Sequence, residues 1–158
     1  MKKNIFYYLS FFIIIFIIDR ISKYYILSFL SNSSLKISRY LSLSLIWNRG
    51  VSWGFLHTKS QFGFCVVTAL VISIIILFSF FTYQELKENK CIWFHTLVLT
   101  GALSNLIDRF IYGGVVDFID LHYASLYWPT FNIADIYVVI GVIGIVLQMI
   151  RTDYDDKN

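Results

Sequence analysis

The chain has 158 residues, 58% of them hydrophobic and 15% charged, and a mean hydropathy of +0.68. That is too apolar and too weakly charged for an ordinary soluble domain and points to a membrane protein. The net charge of +3 is spread along the chain without a basic amphipathic run, which sets nucleic-acid binding aside.

A bilayer core asks for about 20 mostly apolar residues per helix, and the first stretch to meet this runs from Asn4 to Leu30. It has the basic start of a secretory signal but leads into Asp19 instead of a small-residue cleavage site, so an uncleaved first helix is expected. At about 1.5 Å of rise per residue this helix carries Asp19 close to the far side of the membrane. Asp19 and Lys23, in "DRISK", are four apart and share a helix face on which they can pair.

In the polar connection that follows, "LSLSLIW" (Leu41 to Trp47) alternates with the period of a half-buried strand and predicts a small β element on the membrane surface. The next block, "NRGVSWGF" (Asn48 to Phe55), contains glycines that permit a tight turn. A second apolar stretch runs from Phe62 to Phe81, a hydrophilic turn "QELKENK" from Gln84 to Lys90, and a third apolar stretch from Cys91 to Phe110. Cys65 and Cys91 lack metal-ligand spacing and are expected to be free, buried thiols.

Along the third stretch, "GALSNLIDRF" places Gly101, Asn105, Asp108 and Arg109 on one face, which is expected to pack inward. Gly113 and Gly114 then break the helix, and Asp117 emerges flanked by Val115, Val116 and Phe118, while Asp120 is read as solvated. A fourth stretch runs from Ala134 to Ile150, with Asn132 three residues before Asp135 as an N-cap or same-face neighbour.

Four crossings put both termini on one side. Asp19, Lys23, Asn48, Asn105, Asp108, Arg109, Asp117, Asn132 and Asp135 then gather at the other face, although they are scattered along the chain. Lysines and arginines divide almost evenly between the two sides, so the positive-inside rule does not orient the chain. Ionisable residues in membrane segments usually mark function. Two of them, Asp117 and Asp135, suit an aspartic protease arrangement, in which neighbouring carboxylates cannot both ionise and share the work of base and acid.

Simpler readings stand beside this one: Asp135 as a helix cap, and Asp117 as a solvated loop residue. A small membrane transport or binding protein with carboxylates along a proton or cation path is the rival function, and it needs them at several depths. His57, His95 and His122 form no HExxH pattern, and Ser52 and Ser104 have no evident base partner.

The blocks "DRISK", "NRGVSWGF", "GALSNLIDRFIYGGVVDFID" and "FNIADIYVVIG" together resemble the lipoprotein signal peptidases, or signal peptidase II, the aspartic peptidase family A8. The resemblance implies an all-α membrane protein with one domain of four transmembrane helices (4–30, 62–81, 91–110, 134–150) and a small periplasmic β element in the first loop. It implies an endopeptidase of the bacterial inner membrane, with cytoplasmic termini and an active site near the outer leaflet. The substrates implied are diacylglyceryl-modified prolipoproteins, cut before the lipidated cysteine among membrane lipid, with no cofactor or metal and with a monomer sufficient. By the same resemblance the catalytic pair falls on Asp117 and Asp135. The supporting residues fall on Asp19, Lys23, Asn48, Gly101, Asn105, Asp108, Arg109, Asn132 and Ala134. This chain differs from the usual pattern at Ser104, where glycine is common, and at Val51, Ser52 and Trp53; Trp53 is expected to serve substrate capture in a clamp formed by its loop.

Overall fold

The structure is a computed structural model that describes residues 2–31, 33–50, 60–124 and 126–155. Most of the "NRGVSWGF" loop, including Val51, Ser52 and Trp53, and also His57, lie outside the described residues.

Helices α1 (Lys2–Phe29), α2 (Gln61–Lys87), α3 (Trp93–Tyr112) and α4 (Ile133–Asp155) correspond to the four expected stretches. Helix α2 runs on through Lys87 into the segment expected to turn, because Gln84, Glu85 and Lys87 are good helix formers that cost nothing to continue. Three of the helices, α1, α2 and α4, are long and apolar enough to cross a membrane by themselves. Helix α3 is not, because the polar stripe that makes it interesting also lowers its hydropathy.

The β element is larger than a first-loop hairpin. Strands β1 (Ser34–Lys36) and β2 (Leu41–Asn48) come from the first connection, β3 (Val115–Tyr123) and β4 (Leu126–Tyr127) from the segment between α3 and α4. They form an antiparallel sheet in chain order. Asp117, for which a solvated loop was the simpler reading, therefore sits inside β3, opposite Ile46 of β2. The run "VVDFI" alternates poorly because all of its first four residues are buried, which hides a strand from a period-two reading.

Exposed large side chains along α1, α2 and α4 are overwhelmingly Ile, Leu, Val and Phe, whereas Lys23, Asn132, Asp19, Asp108, Asp117 and Ser104 rank among the largest fully buried ones. This is the distribution expected in lipid, where apolar side chains gain nothing by hiding from hydrocarbon and polar groups hold helices together. The same reasoning corrects the cysteines. Cys65 and Cys91 are free but exposed, Cys65 on the surface of an apolar helix where a thiol has no water to avoid.

Close packing of α3 on α4 rests on small residues. A Cβ at Gly101 would collide with the Ala134 carbonyl, one at Gly141 with the Phe94 and Val98 backbone, and one at Gly144 with the Phe94 ring. Gly101 thus lets the third helix approach the first turn of the fourth at Ala134, next to Asp135. At the other end of α3, Gly113 takes a left-handed φ of 70° and its N–H caps the Arg109 carbonyl at 3.1 Å, which ends the helix and launches β3.

Candidate active site

Asn132 starts the arrangement. Its side-chain oxygen accepts from the Asp135 N–H (3.0 Å), and the Asp135 carboxylate accepts from the Asn132 N–H (3.2 Å), a reciprocal cap on the first turn of α4. A cap alone would let Asn132 point its amide at solvent. Instead it is fully buried, and its NH2 donates to Asp117 Oδ1 (2.7 Å) and Asn105 Oδ1 (3.1 Å). The same residue thus caps α4 and joins Asp135 to Asp117 and Asn105.

Asp117 is 1% exposed, so the solvated-loop reading fails. Its second oxygen accepts from the Asn48 amide at 2.9 Å. Asp135 is half-buried and accepts from the Asn105 amide at 2.9 Å. Each carboxylate is thus held by two asparagines, and Asn132 touches both.

Lys23 orients this set from α1. Its ammonium, with no exposure, donates to Asn105 Oδ1 (2.8 Å) and pairs with Asp19 (3.0 Å) and Asp108 (2.7 Å). With the Asn105 oxygen so occupied, the amide NH2 must face Asp135. Asp19 in turn accepts from the Ala134 N–H (2.9 Å), tying α1 to the start of α4. Asp108 accepts from the Val116 N–H (3.3 Å), tying α3 to β3. All nine supporting residues expected from the sequence are placed in or against this network, Gly101 and Ala134 through packing and backbone.

Two participants were missed. Ser104, read as a departure and as a serine with no base partner, donates to Asp19 Oδ2 at 2.5 Å, and Arg20 pairs with Asp108. The spacing of 101, 104 and 108 contained the first signal, since three and four residues share a helix face. Arg20 gave none. Asp120, expected in solvent, accepts from Ser44 and Thr130.

Asn48, Asn105, Arg109, Asp117 and Asp135 line a cavity of about 200 Å³ whose remaining wall is apolar, with Val71, Ile74 and Ile75 from α2 and Ala102 and Val138 opposite. Arg109 donates to the Gly50 carbonyl through Nη2, while its buried Nη1 has no hydrogen-bond partner among the described residues. Burial, reinforced by the charge of Asp135, pushes the Asp117 carboxyl up to about 7, against the opposing hydrogen bonds from Asn48 and Asn132 and the charge of Lys23. A carboxyl so raised can hold a proton near neutral pH. Such a site sets two carboxylates beside an apolar wall and a cationic donor.

The family described as signal peptidase (SPase) II matches residues 11–151. Similar proteins include the lipoprotein signal peptidases of Thermodesulfovibrio yellowstonii (37% identical, 87% of this chain and 90% of that one) and Polynucleobacter necessarius (38%, 93% and 91%). Among solved structures, one titled as a bacterial membrane enzyme determined by the in meso method superposes with a TM-score of 0.76 at 27% identity, covering 96% of this chain and 91% of that one. A second with the same description gives 0.67 at 30% identity, covering 90% and 91%.

Proposed function

The chain belongs to the signal peptidase II family, and we propose that it is an aspartic endopeptidase that frees diacylglyceryl-modified prolipoproteins of their signal peptides, cutting before the lipidated cysteine. The observation that carries this reading is Asn132 bridging Asp117 and Asp135 at the wall of one cavity. The rival reading as a proton or cation path has no comparable support, since Asp19, Asp108, Asp117 and Asp135 belong to one connected network instead of a file across the membrane.

In the proposed reaction Asp135, ionised, takes a proton from a water as its oxygen attacks the scissile carbonyl. Asp117, protonated, polarises that carbonyl and then gives its proton to the leaving amine. The Arg109 Nη1 is available to a substrate carbonyl, and the apolar wall from α2 can hold acyl chains or the signal helix while the peptide bond reaches the carboxylates. Helix α3 completes a fourth crossing, shielded by its neighbours. The termini are cytoplasmic, the site faces the outer leaflet of the inner membrane, and a single chain suffices.

Purified protein should cleave a lipidated prolipoprotein and leave its unlipidated counterpart intact, with chelator having no effect. Equal cleavage of both forms would remove the lipid requirement. Because the pair needs one proton, kcat/KM should fall above about pH 7, where Asp117 ionises, and on the acid side as the base is protonated. A profile still rising through pH 9 would contradict that assignment.

A further inference from the structure

Asp120 lies outside the network just described and has no part in the proposed chemistry, yet two structural features that control Asp117 converge on it. The first is a bulge in β2. Leu43 stands opposite Ile119 and Ile46 opposite Asp117, so Ser44 and Leu45 together face the single residue Phe118. Side chains alternate along a strand, and one extra residue exchanges the faces of everything beyond it. With the bulge, Asn48 shares the face of Asp117 and donates to it. Without it Trp47 would occupy that face and Asn48 would point away. The bulged residue Ser44 donates its hydroxyl to Asp120 Oδ2.

The second feature is the approach to α4. Phe131 pairs with Ile119 in both directions (3.2 and 2.8 Å), and the next residue is Asn132. One residue before Phe131, Thr130 donates to Asp120 Oδ1 at 2.6 Å. A single half-buried carboxylate therefore holds both the bulge that aims Asn48 and the strand that delivers Asn132, the two donors to Asp117.

We propose that Asp120 is a positioning residue for the Asp117–Asp135 pair, acting through Ser44 on Asn48 and through Thr130 on Asn132. This rests on the reading of that pair as catalytic. It predicts a defect in turnover with little effect on substrate capture, since neither hydroxyl lines the cavity.

The test is steady-state cleavage of a lipidated prolipoprotein by the full chain, with Asp117→Asn measured alongside. Misplacing a reacting group by a fraction of an ångström to an ångström costs up to about 100-fold, so Asp120→Ala should lower kcat about tenfold or more with KM within about twofold. Asp120→Asn should restore kcat to within about threefold, because a hydroxyl can accept as well as donate and both contacts survive. Ser44→Ala and Thr130→Val should each reproduce part of the loss and add nothing on top of Asp120→Ala. Wild-type kcat in Asp120→Ala while Asp117→Asn is inactive would overturn the proposal and leave the pair intact, whereas full activity in Asp117→Asn would overturn the pair itself. If Asp120→Ala does not fold, unchanged kcat in both hydroxyl variants overturns the proposal.

Discussion

Asp117→Asn and Asp135→Asn are each expected to abolish cleavage, by about 10³-fold or more, with the helical fold retained. General acid and base contributions are each typically worth about 10²- to 10⁴-fold, and an amide can neither take a proton from water nor give one to an amine. Members of such a pair act as a unit, so the double variant should be little worse than either single one. The effect on stability should be local. Asn48 and Asn132 both donate to Asp117, so an amide there leaves one donor badly matched, a cost of about 1–3 kcal/mol. The check is single-turnover cleavage together with circular dichroism on the same preparations.

The second large effect is expected at Lys23, and on stability as well as activity. Lys23→Met removes the cation that Asp19, Asp108 and Asn105 share in a fully buried setting. Breaking a buried ion pair from one side typically costs about 3–5 kcal/mol, because the charge left behind has neither water nor partner. Arg20 still pairs with Asp108, whereas Asp19 keeps, among the described residues, the Ser104 hydroxyl and the Ala134 N–H. The thermal midpoint in detergent should therefore drop by about 10 °C. Adding Asp19→Asn should recover part of it, because the two sites are coupled. Activity should fall as well, since Asn105 loses the contact that fixes its amide toward Asp135. Lys23→Arg should not rescue, because a planar fork cannot replace a compact ammonium among three acceptors. An unchanged midpoint in Lys23→Met would mean that the buried charges are compensated in some other way.

The parts legible in the sequence were those set by local spacing or by bulk hydropathy. Apolar length located four helices, the interval from Gly101 to Arg109 gave the inward stripe, and the three-residue step from Asn132 to Asp135 gave the cap. The parts that were not legible depend on partners distant in the chain. Asp117 read as a loop residue because its strand exists only through pairing with Leu41–Asn48, roughly 70 positions earlier. Asp120 read as solvated for the same reason, and the bulge at Ser44 is a matter of register that no single strand reveals. The cysteines failed differently. The habit of burying thiols belongs to proteins in water, and in lipid an exposed Cys65 costs nothing. The polar stripe of α3 had two opposite effects: it exposed the site, and it kept that helix from qualifying as a membrane span alone.

The central claim is that Asp117 and Asp135 share one proton at neutral pH, and infrared difference spectroscopy between the wild-type chain and Asp117→Asn tests it most directly. The account predicts the carbonyl stretch of a protonated carboxylic acid in the wild type at pH 6, absent from the variant and lost as pH passes about 7. No protonated carboxyl in that difference at pH 6 would mean that Asp117 holds no proton there, and would contradict its assignment as the acid of the pair.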